Sequence, residues 1–192
     1  MTKVNLYIVD SSNLDLSNIN NITGDELLEL ERYKVEETKK EKAVSLSLKK
    51  LYIEDWYVDE HGKPLADDVF FNVSHSHGMV VLAMNDDYPI GVDIEKNRPV
   101  EEKFKKYISN KEEVDYIDSD EKFFEVWTSK ESLLKAVGLG ISMRMENVPA
   151  LPINGKKQFK EETYFSKSVR YLDYIISVTL MSDSDFELTI NQ

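Results

Sequence analysis

The stretch Trp127-Thr128-Ser129-Lys130-Glu131-Ser132-Leu133-Leu134-Lys135-Ala136 decides how the fold of this chain is interpreted. We predict that it is helical. Residues four apart lie on the same face of an α-helix, so Trp127, Glu131 and Lys135 project together. We interpret Trp127 as a packing residue, because an aromatic ring at this spacing is more often part of a core than of a ligand site.

A second acidic element, Gly91-Val92-Asp93-Ile94-Glu95, precedes this stretch by about thirty positions. Side chains alternate along a strand, so Asp93 and Glu95 share one face. Together with Glu131, they could offer oxygen ligands to Mg²⁺ or Mn²⁺. The alternative is that Asp93 and Glu95 form the polar face of an edge strand while Glu131 pairs with Lys135 along the helix. Spacing alone leaves both interpretations open.

Another polar cluster, Asn72-Val73-Ser74-His75-Ser76-His77-Gly78, follows a hydrophobic run that we expect to end in a turn. A histidine flanked by serines can donate hydrogen bonds to a phosphate. A nucleophilic Ser74-His75 pair is disfavoured, because adjacent strand residues point to opposite faces. A zinc site on His75 and His77 lacks an evident third nitrogen ligand. The cluster could also be a loop that satisfies its own backbone.

Composition and charge limit the classes of function. The chain has 192 residues, of which 41% are hydrophobic and 31% charged, as in a globular protein with one domain or two small halves. The absence of cysteine excludes disulfides, thiolate catalysis and cysteine zinc sites. A net charge of −12 argues against nucleic-acid binding, and an anionic substrate would need a local cluster of cations.

No apolar run approaches the roughly 18 residues that a membrane helix needs. The N-terminal residues 1–10 alternate like a strand and lack the apolar core and cleavage site of a signal peptide. We therefore expect a cytoplasmic protein that does not insert into membranes.

The first half of the chain contains both helix and strand patterns. We predict a strand over 3–10, a helix that begins with a capping box of Thr23 and Glu26, and a helix over 36–56. A turn is predicted at His61-Gly62-Lys63-Pro64. Three strands then follow, at 69–73, 79–85 and 89–95.

The second half repeats the order of helices followed by strands. We predict a helix over 101–108, one with Ser109 as N-cap and Glu112 as its capping-box partner, and one over 121–137 that Gly138 ends. The last strands are predicted at 157–166, 168–181 and 185–190. The class is thus α+β, with an N-terminal half over 1–96 and a C-terminal half over 97–192, each a small antiparallel sheet packed with helices.

In their order and spacing, these motifs resemble the 4′-phosphopantetheinyl transferase superfamily of the Sfp type. The resemblance covers about residues 60 to 140. It rests on Gly62-Lys63-Pro64, Asn72-Val73-Ser74-His75-Ser76, Gly91-Val92-Asp93-Ile94-Glu95 and Trp127–Ala136. It implies two pseudo-symmetric halves in a monomer, with the active-site cleft between them.

The resemblance also implies an activity. Such enzymes transfer the 4′-phosphopantetheine arm of coenzyme A to a serine of an apo acyl or peptidyl carrier protein, and release adenosine 3′,5′-bisphosphate. The metal ligands, for Mg²⁺ or Mn²⁺, carry over to Asp93, Glu95 and Glu131. Glu131 would also help to deprotonate the serine, and Lys135 would contact the pyrophosphate and assist the leaving group.

The remaining implied residues contact the co-substrate coenzyme A or the carrier. His75 is at the position that meets the 3′-phosphate. The predicted coenzyme A contacts are Gly62, Lys63, Pro64, Ser74, His75, Ser76 and Lys135. An acidic carrier would dock on an apolar patch or on a basic one formed by Lys103, Lys105, Lys106 and Lys111.

Two other functions remain open at the level of sequence. A metal-dependent phosphoesterase could use the same three acids and water to hydrolyse nucleotides. A non-enzymatic module could bind coenzyme A or a carrier without Mg²⁺ and transfer nothing.

Overall fold

The computed structural model describes residues 1–60, 62–138 and 143–192. His61, part of a predicted turn, lies outside the described residues. The helices in the described ranges are α1 (Gly24–Leu30), α2 (Glu36–Tyr52), α3 (Glu102–Ile108), α4 (Lys111–Tyr116) and α5 (Asp120–Val137). Single 3₁₀ turns lie at Leu16–Asn18 and Met145–Asn147.

The strands of the described residues form two larger sheets and a short hairpin. They are β1 (Thr2–Asp10), β2 (Tyr57–Val58), β3 (Pro64–Leu65), β4 (Phe70–Ser76), β5 (Met79–Asn85), β6 (Ile90–Lys96), β7 (Gly155–Phe159), β8 (Glu162–Tyr171), β9 (Tyr174–Leu180) and β10 (Phe186–Asn191). The first sheet has the order β10-β1-β5-β4 and the second β6-β9-β8-β7. Only the pairing of β1 with β10 is parallel among those described. This mixture of helices and mainly antiparallel sheets confirms the α+β class.

A hydrophobic core joins the two sheets. Val92 and Ile94 of β6 are buried in one cluster with Val4 and Leu6 of β1 and Ile176 of β9. Because side chains alternate along a strand, this leaves the other face of β6, with residues 91, 93 and 95, for a different neighbour.

That neighbour is α5, and Gly91 allows its close approach. A Cβ atom on Gly91 would lie 2.0 Å from the carbonyl oxygen of Ser132 and 2.4 Å from the amide nitrogen of Ala136. No residue with a side chain fits between strand and helix here. Ser132 further shares a hydrogen bond of 2.8 Å with Thr179 of β9. Gly91 therefore sets the distance at which α5 presents its polar residues to Asp93.

The predicted helix ends are confirmed at two places and wrong at others. Thr23 and Glu26 form the predicted capping box, and Gly138 ends α5 in the left-handed conformation with φ 82°. The helix predicted over 36–56 ends earlier, at Tyr52, where Ile53 is extended.

The N-cap of α4 is one residue later than predicted. Asn110 takes this position rather than Ser109, and its side chain accepts a bond from the amide of Glu113. Glu113, not Glu112, completes the capping box. Because the helix begins one residue later than predicted, Ser109 precedes the N-cap, where it is buried.

The last strands were also predicted with a wrong break near residue 167. The chain turns instead after β7 and after β8, at Lys160 (φ 55°) and Leu172 (φ 53°). Both residues adopt positive φ without being glycine or asparagine, so the usual turn signal is missing from the sequence.

Strand pairing crosses the boundary at residue 96. β6, which precedes it, pairs with β9, while β10 at the other end of the chain pairs with β1. Division into halves at 1–96 and 97–192 stays a prediction. No helix of the described part of the chain is both long and apolar enough to cross a membrane.

Candidate functional site

The open edges of the two sheets, β4 and β6, face each other, and side chains rather than a backbone ladder join them. Asn72 Oδ1 accepts a bond of 3.0 Å from the Val92 amide. Ser74 Oγ donates to Asp93 Oδ1 at 2.9 Å, and Ser76 Oγ donates to Glu95 Oε2 at 2.9 Å. We name this row the β4–β6 seam. It uses every second residue of β4, as strand alternation requires.

The seam explains the spacing of the serine and carboxylate motifs. β4 extends through Ser76, so Ser74 and Ser76 lie in a strand and not in the turn that we predicted there. Both serines are buried and hold the carboxylates of Asp93 and Glu95 in fixed orientations.

Lys135 of α5 reaches the same carboxylate from the helix side. Its Nζ lies 2.6 Å from Asp93 Oδ1 and also donates to Ser74 Oγ (2.9 Å) and the Val92 carbonyl (3.1 Å). The helix face predicted from the spacing of Glu131 and Lys135 is therefore the one turned to β6. Burial raises the pKa of Asp93, against the opposing effect of the Lys135 ammonium.

Two carboxylate oxygens of the site lack hydrogen bonds. Asp93 Oδ2 and Glu131 Oε1 are buried, and neither has a hydrogen-bond partner among the described residues. Burial, and then the negative charges of Asp93 and Glu95, raise the pKa of Glu131 to about 7. Buried oxygen atoms without partners are costly, and like charges held together add to this cost. A bound divalent cation would reduce both the cost of these oxygen atoms and the repulsion between the carboxylates.

The acids are not preassembled into a metal cage. Within the described ranges, no three His, Cys, Asp or Glu side chains are grouped so that they could hold a metal ion. Glu95 Oε2 is engaged by Ser76 and by Arg98 Nη1, the latter at 2.9 Å. The donor set of Asp93 and Glu131 fits a hard cation such as Mg²⁺ through its orphan oxygens. The full ligand set of Asp93, Glu95 and Glu131 stays a prediction.

His75 lies on the other face of β4 from the two serines. Its Nδ1 lies 2.9 Å from Glu41 Oε2, and Glu41 is a buried residue of α2. Ser74, His75 and Ser76, which were grouped as coenzyme A contacts, thus belong to two different faces. Sequence reasoning missed Glu41 because it lies between Lys40 and Lys42, and such charged neighbours are typical of a solvent-exposed helix face.

The Gly62-Lys63-Pro64 motif meets the C-terminal end of α5. Gly62 has φ 81°, in a turn that its amide closes by donating to the Asp59 carbonyl at 3.0 Å. Lys63 Nζ donates to the carbonyls of Lys135 (2.7 Å) and Ala136 (3.3 Å). Cations stabilise helix C-termini, so this amine caps α5. Burial lowers the pKa of Lys63.

A cleft of about 520 Å³ opens beside this motif. Its walls include Tyr57, Lys63, Phe70 and Val137. An apolar cleft of this size with a cation at its rim is of the kind that binds small molecules.

The predicted basic patch is partly neutralised. Lys103 pairs with Glu101 at 2.8 Å, and Lys105 pairs with Glu102 (2.8 Å) and Asp120 (2.9 Å). Carrier docking on this patch stays a prediction.

A second cluster of buried charges lies on the far side of α5. Lys130 Nζ pairs with Glu113 Oε2 at 2.6 Å and donates to the carbonyls of Ile108 (3.0 Å) and Met145 (2.7 Å). Glu113 accepts further bonds from the amides of Asn110 (2.8 Å) and Ala150 (2.9 Å). We name Glu113, Lys130 and the nearby Lys157 the structural charge cluster. Sequence analysis did not find it.

Comparison with known proteins agrees with the motif analysis. Residues 89–181 match the family model described as the 4′-phosphopantetheinyl transferase superfamily. The chain is 38% identical to the 4′-phosphopantetheinyl transferase gsp of Aneurinibacillus migulanus over 90 residues. This aligned stretch covers 43% of this chain and 38% of that protein. It is 39% identical to the 4′-phosphopantetheinyl transferase Sfp of Bacillus subtilis over 97 residues. This aligned stretch covers 46% of this chain and 43% of that protein.

A third relative, the 4′-phosphopantetheinyl transferase HetI of Nostoc sp., is 37% identical over 98 residues, which cover 44% of this chain and 41% of that protein. The chain thus spans less than half the length of each of these relatives. The matched region contains β6 and α5, which carry Asp93, Glu131 and Lys135. The resemblance seen in the motifs is confirmed, and over residues 89–181 this chain is related to the 4′-phosphopantetheinyl transferase superfamily.

Proposed function

We propose that this chain is a Mg²⁺-dependent 4′-phosphopantetheinyl transferase that acts on coenzyme A and an apo acyl or peptidyl carrier protein. The observation that carries this proposal is that Asp93 and Glu131 each have a buried carboxylate oxygen without a hydrogen-bond partner among the described residues. They lie in the region that matches the superfamily, and Lys135 bonds to the same Asp93.

The reaction transfers one group between two oxygen atoms. The serine oxygen of the carrier forms a bond to the β-phosphorus of coenzyme A. The bond from that phosphorus to the bridging oxygen breaks, and adenosine 3′,5′-bisphosphate leaves with the bridging electron pair. The serine proton passes to a base. In phosphoryl transfer, a protein contributes mainly by positioning the reactants and stabilising charge.

Asp93, Glu95 and Glu131 would hold Mg²⁺ or Mn²⁺. The cation would neutralise the pyrophosphate charge. Ser74 and Ser76 keep Asp93 and Glu95 oriented through the β4–β6 seam. Lys135 supplies a positive charge for the leaving oxygen. Glu131 takes the serine proton, either directly or through a water molecule. The water route is included because a nearby cation lowers the basicity of the Glu131 carboxylate.

Coenzyme A is anionic, and this chain carries a net charge of −12, so local cations must hold the ligand. Lys63 and Lys135 are joined through the end of α5, beside the apolar cleft. We assign to them, with Gly62, Pro64, Ser74, His75 and Ser76, the binding of coenzyme A. We also propose that the halves 1–96 and 97–192 act together as a monomer.

Mass spectrometry of the carrier tests the proposal. The protein is incubated with coenzyme A, Mg²⁺ and an apo carrier, and the carrier should gain one phosphopantetheinyl group only when Mg²⁺ is present. Asp93→Ala should abolish the gain. Lys157→Met, a buried substitution outside the site, should retain it.

Two other results would each reject the proposal. Hydrolysis of nucleotides without a carrier would indicate a phosphoesterase. Binding of coenzyme A without Mg²⁺, with every one of several diverse carriers left unchanged, would indicate a binding module.

A further inference from the structure

His75, which we assigned to coenzyme A binding, pairs with Glu41, a residue that the reaction described above does not use. Glu41 Oε2 lies 2.9 Å from His75 Nδ1. The Glu41 side chain is 7% exposed, whereas the His75 ring keeps 28% of its surface exposed. The carboxylate is therefore fixed inside, and the ring is open to a ligand.

The turn between β4 and β5 holds this carboxylate. Glu41 Oε1 accepts a bond of 2.7 Å from the Gly78 amide. Gly78 has φ 81°, and a Cβ atom there would lie 2.5 Å from Ser12 Oγ. The Gly78 carbonyl in turn accepts bonds of 2.7 Å from the amide and the hydroxyl of Ser11. The Glu41 carboxylate is thus tied to a tightly packed turn and cannot swing away from His75.

We propose that Glu41 is a positioning residue that holds His75 by Nδ1, presents Nε2 to the 3′-phosphate of coenzyme A, and so sets the preference for the 3′-phosphorylated cofactor. The identity of the ligand rests on the proposed function. The pairing of Glu41 with His75 does not.

The charge on the ring follows from this pairing. If Nδ1 donates its proton to Glu41, Nε2 can donate to a phosphate only when the ring is an imidazolium. Burial and the positive charges of Lys42 and Lys135 lower the pKa of His75, and Glu41 opposes them. The ring therefore takes up a proton when the phosphate binds. A charge-assisted hydrogen bond of this kind is about twice as strong as a neutral one.

Glu41→Gln separates this role from a structural one. The amide oxygen can still accept from Gly78, so the turn is kept. The amide NH₂ group would donate to Nδ1, which leaves a neutral ring with its proton on Nε2. The ring can then bind the phosphate without a positive charge. His75→Gln removes the ring altogether.

The experiment is calorimetric titration with adenosine 3′,5′-bisphosphate and with adenosine 5′-monophosphate, at about pH 8. Phosphates there are fully ionised, since their second pKa is about 6. Titrations in two buffers of different ionisation enthalpy report proton uptake. The wild type should bind the bisphosphate more tightly and take up protons on binding.

Glu41→Gln should weaken bisphosphate binding about tenfold, or about 1.4 kcal/mol. It should also abolish proton uptake and leave binding of the monophosphate unchanged, which reports an intact fold. His75→Gln should behave in the same way. A Glu41→Gln variant that keeps both the discrimination and the proton uptake would overturn the proposal, as would a wild type that does not distinguish the two nucleotides.

These results are independent of phosphopantetheine transfer. A transfer-active protein in which Glu41→Gln changes nothing rejects the role of Glu41 alone. A protein that transfers nothing but shows the predicted nucleotide contrast rejects the proposed function alone.

Discussion

Two clusters of buried charge lie on different faces of α5, and they differ in how fully their charged groups are hydrogen-bonded. In the structural charge cluster, Glu113 has both oxygens engaged, and the Lys130 ammonium has three oxygen partners. On the face toward β6, Asp93 has one oxygen engaged and one unpartnered, and Glu131 also has a buried oxygen without a partner among the described residues.

The difference distinguishes a cluster that serves the fold from one that serves a ligand. A saturated ion pair offers nothing to a third group, whereas an unsaturated one is costly until something binds. The cost is consistent with the raised pKa values of Asp93 and Glu131. Substitutions in the structural charge cluster should therefore change the free energy of unfolding. Substitutions on the face toward β6 should change the affinity for a cation.

The largest effect is expected from Lys130→Met. It removes the ammonium that forms the ion pair with the buried Glu113 carboxylate, and breaking a buried pair typically costs about 3–5 kcal/mol. Urea denaturation should show this loss in the free energy of unfolding. Replacing both residues by apolar ones should restore much of it. A Lys130→Met protein as stable as the wild type would show that the pair is not a structural element.

Glu131→Gln should have the next largest effect, on catalysis. Removing one cation ligand and the proton acceptor should lower the rate of carrier modification at least about a hundredfold, or about 2.7 kcal/mol. The free energy of unfolding without Mg²⁺ should not fall, because the change removes a carboxylate that Asp93 and Glu95 repel. Carrier mass spectrometry over time measures the rate. A variant that works at the wild-type rate would exclude Glu131 from the reaction.

Ser76→Ala tests the β4–β6 seam. Without this hydroxyl, Glu95 loses one of the donors that orient it, and residues that orient metal ligands typically contribute about ten- to a hundredfold in affinity. We expect about tenfold weaker Mn²⁺ binding in an equilibrium titration. Ser47→Ala, on the exposed bond to Asn21, is the matched control and should bind normally. Equal affinity in both variants would remove Ser76 from the site.

The smallest effect, counted per pH unit, concerns the pH dependence of stability. Burial lowers the pKa of Lys157 to about 7, and its ammonium donates to Ser129 Oγ. The unfolded chain then binds more protons than the native one above pH 7, so this residue makes stability rise with pH from about 7 to 10. The slope is at most about 1.4 kcal/mol per pH unit. Lys157→Met should flatten the rise in urea denaturation, and an identical slope in both proteins would contradict the pKa assignment.

Local patterns predicted the parts of the site that follow from strand and helix periodicity. The alternation of Asp93 and Glu95, and the spacing of Glu131 and Lys135, correctly placed these residues on the faces where β6 and α5 meet. Gly138 correctly predicted the end of α5, because the left-handed conformation that often ends a helix favours glycine.

Features that depend on distant parts of the chain were not predictable. Glu41 has the neighbours of an exposed residue, and only the turn at Gly78 explains its burial. The turns at Lys160 and Leu172 use residues that rarely adopt positive φ, so pairing of the flanking strands must impose them. The pairing of β10 with β1 joins the two ends of the chain, which no local pattern indicates.

The most direct test of the contrast between the two clusters is Mn²⁺ binding followed by electron paramagnetic resonance, without coenzyme A or carrier. The wild type and Lys157→Met should bind one Mn²⁺ with similar affinity, and Asp93→Asn and Glu131→Gln should each bind at least about tenfold more weakly. Wild-type affinity in both carboxylate variants would contradict the assignment of their unpartnered oxygens to a divalent cation.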